Sequence, residues 1–140
     1  NIYQYTLTTG YDIGTASFEK SFNVGGQDSG PEGMAFNSDG TKMYMVGRSN
    51  NNIYQYTLTT GYDIGTASLD KSFDVSGQDN SPGGMAFNSD GTKMYMIGTS
   101  DSIHQYSVSD LSSDRVDVVA MHQQATGTLL ADITHKGVVV

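Results

Sequence analysis

The twelve residues MAFNSDGTKMYM occupy positions 34–45 and recur without change at 85–96, which is 51 positions later. In each copy the triplet Ser-Asp-Gly separates two short segments rich in apolar side chains. Glycine accepts a positive φ angle and aspartate bonds to its own backbone, so this triplet is typical of the tight turn of a β-hairpin. A duplicated hairpin indicates repeated architecture, because a catalytic site rarely needs two identical copies.

The duplication extends well beyond the hairpin. Residues 2–47 and 53–98 differ at eight of 46 aligned positions, and a third copy begins with IHQYSV at 103–108. Alternation along 41–47 places apolar residues on both faces, as expected for a strand that is covered on both sides. Each repeat of about 50 residues divides into four strand-like segments, which for one repeat are 33–37, 41–47, 52–58 and 17–24.

The fourth segment, SFEKSFNV at 17–24, shows the most regular alternation. Strict alternation predicts that Lys20 shares a face with the apolar residues, where its stem covers apolar surface and its ammonium group reaches water. Such a pattern is typical of an outer, half-exposed strand. The apolar residues predicted to share this face are Phe18, Phe22 and Val24.

Tandem repeats of four antiparallel strands are typical of the blades of a β-propeller. We therefore predict an all-β fold, a partial β-propeller of four-stranded antiparallel blades, over residues 1–108. This region contains two full repeats and a leading partial one, or about nine strands. Residues 109–140 leave the repeat and are predicted to be a β-rich connector, an aberrant blade or the start of a second module.

The repeat also resembles a known family. The pattern PxGMAFNSDGTKMYMVG…NIYQYTL at 31–58, with a less exact copy at 82–108, is similar to YVTN- and NHL-like β-propeller repeats of bacteria and bacteriophages. In those repeats an S-D-G or P-D-G turn joins the two inner strands. The linker YDIGTAS at 11–17 resembles tandem repeats of large surface and phage-tail proteins. The resemblance covers 2–108 and implies a fold rather than a ligand, because such propellers serve many roles.

A closed propeller typically needs four to eight blades, which is more than residues 1–108 provide. Two interpretations account for the blades that residues 1–108 do not provide. The chain is part of a longer one, as expected from a start at Asn1 without an initiator Met and an end within an apolar run at 138–140. Alternatively, several copies assemble one ring, and three two-blade chains would complete it. We favour the longer chain.

The composition excludes several classes of partner. Seven Lys plus Arg against fifteen Asp plus Glu give a net charge of −8, which argues against nucleic acid because phosphates require basic patches. The same charge disfavours anionic membrane surfaces, and no apolar run is long enough for membrane insertion. The sequence contains no Cys, so neither a disulfide framework nor a thiolate metal site is available.

The sequence contains no motif that indicates a catalytic site. The three His lie in separate segments, and His104 takes the position that Tyr3 and Tyr54 occupy in the earlier copies. Nucleophile-elbow, zinc-protease and phosphate-loop motifs are absent. Segment 37–41 lacks the full pattern and terminal Glu of a calcium loop, and a hairpin turn explains it. We predict no enzyme, no catalytic residue, no metal and no cofactor.

The differences between the two long copies are concentrated in one region. Five of the eight fall within 23–32, and the loop at 48–52 also differs from its counterpart. In a propeller these two connections emerge on the same rim, where a binding face would vary, although an unconstrained face would vary as well. The candidate binding residues on this rim are Asp28, Glu32, Arg48, Asn50, Asp79 and Asn80.

These patterns predict a non-enzymatic structural and attachment module of a virion, as in a phage tail or fibre, or of a cell-surface protein. Its expected location is extracellular or on the virion surface. Its partners would be other blades or subunits of the same protein, a homo-trimer among them, and a host receptor or glycan bound by multivalent contact. Two alternatives are a carbohydrate-binding lectin propeller and the scaffold of an enzyme whose active site lies outside this fragment.

Overall fold

The computed structural model describes residues 1–107, and the segment 109–140 that leaves the repeat lies outside the described residues. Over 1–107 the fold is all-β, with antiparallel sheets and two single-turn 3₁₀ helices, Ile13–Thr15 and Ile64–Thr66. Neither of these helices is long and apolar enough to cross a membrane. The predicted all-β class is therefore confirmed for this part of the chain.

Within residues 1–107, nine strands form three sheets whose strand order follows the chain. The first sheet contains two strands, the middle sheet four and the last sheet three, so the middle sheet is the complete four-stranded unit that the repeat predicts. The strands are β1 (Ile2–Leu7) and β2 (Ala16–Phe22) in the first sheet, β3 (Pro31–Phe36), β4 (Lys42–Gly47), β5 (Asn52–Leu58) and β6 (Ala67–Asp74) in the middle sheet, and β7 (Pro82–Phe87), β8 (Lys93–Gly98) and β9 (Ile103–Ser107) in the last sheet.

The turn between β3 and β4 has the predicted chemistry. Asp39 Oδ1 accepts hydrogen bonds from Thr41 N at 2.9 Å and from Thr41 Oγ1 at 2.6 Å. Gly40 adopts a φ of 71°, which a side chain would disfavour. The equivalent turn between β7 and β8 repeats this arrangement, with Gly91 also at 71°. The predicted hairpins are confirmed, and the same local sequence builds the same turn twice.

The middle sheet is covered on both faces. Towards the first sheet, Met43 and Tyr56 are fully buried, and the Tyr56 ring packs edge-on against Phe22 with centroids 5.5 Å apart. Towards the last sheet, the Tyr44 ring lies 4.5 Å from the ring of Phe87. The prediction that strand β4 is apolar on both sides because both sides are covered is confirmed.

A β-bulge in β2 overturns the predicted alternation of that strand. The pairing of β1 with β2 shifts register between Gln4 and Tyr5, which leaves Glu19 as the extra residue. Phe18 consequently lies beside Tyr5, with ring centroids 5.9 Å apart, whereas Phe22 faces the middle sheet. The prediction of a shared face for Phe18 and Phe22 was wrong because one inserted residue inverts the alternation. The same register shift recurs between β5 and β6.

Polar contacts also join the first sheet to the middle sheet. Lys20 Nζ forms an ion pair with Asp63 Oδ1 at 2.6 Å, and this contact raises the pKa of Lys20 and lowers the pKa of Asp63. Gln4 Oε1 accepts a hydrogen bond from Ile64 N at 3.1 Å. Lys20 lies on the face of Phe22, as the alternation predicted, but its ammonium group binds a carboxylate of the neighbouring sheet.

Two tyrosines of β5 provide a matched test of buried hydroxyl groups. Tyr56 Oη is buried without a hydrogen-bond partner among residues 1–107, and burial raises the pKa of Tyr56 to about 12. Tyr54 Oη donates to the Gln27 carbonyl oxygen at 2.7 Å. We expect Tyr56→Phe to raise the free energy of unfolding by about 1 kcal/mol and Tyr54→Phe to lower it by a similar amount. Urea unfolding measures both, and a loss of stability in Tyr56→Phe would contradict the assignment of an unsatisfied hydroxyl.

Candidate binding rim

The candidate site lies where the strand connections meet at one end of the sheets. We define the rim as four connecting segments: 23–30, 48–51, 75–81 and 99–102. The first two contact each other directly, since Arg48 N donates to the Gly30 carbonyl oxygen at 2.9 Å. Asn50 Nδ2 likewise donates to the Gln27 carbonyl oxygen at 2.7 Å. The prediction that these two connections emerge at the same end is confirmed.

Asp28 anchors the first pair of rim segments from inside. Its side chain is buried, and Oδ1 accepts hydrogen bonds from Gly30 N at 2.7 Å and Ser49 N at 3.1 Å. Oδ2 accepts a further bond from Asn50 N at 2.8 Å. At Gly47 a Cβ atom would overlap the Asp28 carboxylate, so the glycine makes room for this contact. One carboxylate therefore ties the end of the β4–β5 connection to the β2–β3 connection.

Asp79 repeats the arrangement in the next repeat. Its carboxylate is buried and accepts hydrogen bonds from Ser100 N at 2.9 Å and Ser81 N at 2.7 Å. The bonds from Ser100, followed by that from Ser81, hold the pKa of Asp79 at about 2, below its ordinary value of 3.8. Because the folded pKa is depressed, this carboxylate stabilises the fold above pH 3.8, and its contribution is lost as the pH falls through about 2.

The other four candidate residues are exposed: Arg48, Asn50 and Asn80 lie within the rim segments, and Glu32 lies on β3 directly after one of them. Arg48 Nη1 and Glu32 Oε1 are 3.5 Å apart in an exposed ion pair, a kind of contact that contributes little to stability. Asn50 and Asn80 are exposed, and their amides can donate and accept hydrogen bonds. The structure thus separates the six residues into two buried anchors and four surface groups. Binding by any of them stays a prediction.

Successive repeats of the rim are also connected. The Asn51 side-chain amide lies 2.8 Å from the Asn80 carbonyl oxygen, and Val75 N donates to the Asn51 carbonyl oxygen at 2.9 Å. The two pairs of rim segments are therefore joined, and the exposed Asn50 and Asn80 both lie on this joined polar surface. Among residues 1–107 no group of three His, Cys, Asp or Glu could hold a metal ion.

Sequence reasoning missed a polar groove at the opposite end of the sheets. A cavity of about 410 Å³ lies between the middle and last sheets, where the two duplicated hairpin turns come side by side. The signal in the sequence is the duplication of Asn-Ser-Asp-Gly at 37–40 and 88–91, which by itself predicts only two turns. The groove combines aromatic and polar groups, among them Phe36, Asn37, Tyr44, Phe87, Asn88 and Asp90.

Comparisons with known proteins add little to this geometry. No family model matches the sequence, and no curated protein matches it either. Among solved structures, the chain is similar to part of a complex of KlAtg21 with the coiled-coil of AgAtg16, with 23% identity and a TM-score of 0.44. The match covers 58% of this chain and 24% of that chain, so this chain spans about a quarter of its length.

Proposed function

We propose that residues 1–107 form part of a β-propeller of the YVTN- or NHL-like kind. We further propose that the protein is a non-enzymatic structural and attachment module of a virion, as in a phage tail or fibre, or of a cell surface. The observation that carries this proposal is the repeated rim, in which Asp28 and Asp79 hold equivalent connections in equivalent positions. Repetition of a rigid loop pair is what multivalent attachment requires.

The packing of neighbouring sheets supports the propeller architecture. At β3 and β7, the first strands of their sheets, a Cβ on Gly33 would lie 2.9 Å from the Gly83 carbonyl oxygen. Further out in the sheets, whole aromatic rings separate the backbones, as where Phe73 packs against Tyr106 with centroids 5.5 Å apart. Sheets that converge at their first strands and diverge outward are wedges, and wedges arranged about an axis are the units of a propeller.

The chemistry of the rim supports attachment to a polar surface. Hydrogen bonds from the backbone to Asp28 and Asp79 hold the connections in fixed positions, so ligand binding costs little ordering entropy. The exposed Asn50 and Asn80 amides can pair with the hydroxyl groups of glycans or with peptide groups. Each contact is weak alone, and several displayed together gain affinity through avidity.

A display experiment tests this proposal. The biotinylated 140-residue chain, as a monomer and as a streptavidin tetramer, is applied to an array of bacterial surface glycans and to fixed bacterial cells. We expect the tetramer to bind at least about tenfold more tightly than the monomer. Arg48→Glu, which alters the rim, should weaken binding about tenfold.

Lys42→Glu makes the same charge change at the hairpin end of the middle sheet, where Lys42 is exposed, and should leave binding unchanged. Equal losses in the two variants, or no binding to any surface, would reject attachment through the rim. Saturable binding of one sugar by the monomer, insensitive to Arg48→Glu, would instead favour the lectin alternative, with the sugar in the groove between the hairpin turns.

A further inference from the structure

The outer face of the first sheet is apolar and exposed. We call it the leading face and define it by Tyr3, Tyr5 and Phe18, in which the Phe18 ring contacts the rings of Tyr3 and Tyr5 with centroids 6.5 and 5.9 Å apart. More than half of the surface of each of these side chains is exposed. Within residues 1–107 no element covers this face, so an aromatic cluster of this size is a candidate interaction surface.

The opposite end of the stack carries a second apolar face. We call it the trailing face and define it by Ile97 on β8 and Ile103 on β9, which are 53% and 72% exposed. Along with Tyr95 these residues line a shallow, largely apolar depression of about 360 Å³. Among the described residues nothing packs on this face either.

The internal repeat shows what fits each face. Tyr5 is 53% exposed, whereas its equivalent Tyr56 is 0% exposed because the first sheet covers it. Ile97 has the equivalent Val46, which is 0% exposed in the middle sheet beneath the last sheet. Each internal junction thus joins a leading-type face of one sheet to a trailing-type face of the sheet before it. The two exposed faces are the unused halves of this same junction.

We infer that a second copy of this chain docks its trailing face on the leading face of the first, in a head-to-tail interface. A junction between two leading faces would stack tyrosines on tyrosines, for which neither internal junction gives a precedent. A head-to-tail interface leaves one face free at each end, so association continues until a ring closes or an open filament forms. This self-association goes beyond the proposed attachment function, since it requires no external ligand.

Sedimentation velocity of the 140-residue chain, from about 1 to about 200 µM, tests the inference. We expect the mass of the wild-type chain to rise with concentration. Tyr5→Lys alters only the leading face and Ile97→Lys only the trailing face, and each variant alone should remain monomeric. An equimolar mixture should form a dimer and stop there, because each variant retains the face that the other lacks.

Two control variants distinguish this interface from nonspecific association or misfolding. Thr60→Lys adds the same charge to an exposed loop of the middle sheet and should associate like the wild type, as should Ile97→Val, which installs the residue found at position 46. Circular dichroism checks that every variant is folded. A wild-type chain that stays monomeric, a single lysine variant that still self-associates, or a mixture that remains monomeric would overturn the head-to-tail interface.

Discussion

Replacing Met43 by alanine is expected to lower the free energy of unfolding by about 3 kcal/mol. Met43 is fully buried on β4, within the apolar cluster between the first and middle sheets. Truncation removes its apolar contacts and leaves a cavity, and the hydrogen-bonded sheets on either side cannot move enough to fill it. Urea unfolding followed by circular dichroism measures the change, and the slope with denaturant should stay constant.

Met34→Ala provides the matched control. Met34 lies on β3 of the same sheet, but its side chain is exposed, so the same truncation should cost about 1 kcal/mol or less. Equal losses for the two variants would show that the cluster around Met43 is not the stabilising core of the described region.

The second large effect is expected at the rim, where Asp28→Ala should lower the free energy of unfolding by about 2 kcal/mol. Three backbone N–H groups lose their acceptor, those of Gly30, Ser49 and Asn50, and the β2–β3 and β4–β5 connections lose the carboxylate that ties them together. Asp12→Ala is the control, because among residues 1–107 the exposed Asp12 carboxylate accepts only the Gly14 N–H, and this substitution should cost about 0.5 to 1 kcal/mol.

A double-mutant cycle identifies the contact itself. Because a Cβ on Gly47 would overlap the Asp28 carboxylate, Gly47→Ala should destabilise the wild-type chain. In the Asp28→Ala background that overlap is gone. The double variant should therefore lose less stability than the sum of the losses of the two single variants, with a coupling energy of about 1 kcal/mol. Strict additivity would argue against the close approach of these two residues.

Much of the fold is readable from the sequence because it depends on local chemistry. The hairpin turns follow from Asp39 and Gly40, whose roles need only neighbouring residues. The nine strands of residues 1–107 and their order follow from the alternation between those turns and from the repeat. For the rim, the repeat was enough to predict that residues 23–32 and 48–52 meet at one end.

The sequence did not show which of the six candidate binding residues are buried and which are exposed. Asp28 and Asp79 differ little in local sequence from exposed aspartates, and each finds donors about twenty residues away in sequence, on another connection. Four of the six lie on the surface and two lie beneath it. Burial of a carboxylate depends on donors that only the folded chain brings to it.

The sequence by itself determined the all-β class, the hairpins and the repeat, because turn chemistry and alternation act over a few residues. Only the tertiary structure decided the bulge at Glu19, the burial of Asp28 and the contrast between Tyr5 and Tyr56. These two tyrosines occupy identical positions in identical local sequences, yet one is exposed and the other buried. The physical reason is that burial depends on the packing of neighbouring sheets, since a sheet face becomes part of the core only where another sheet covers it.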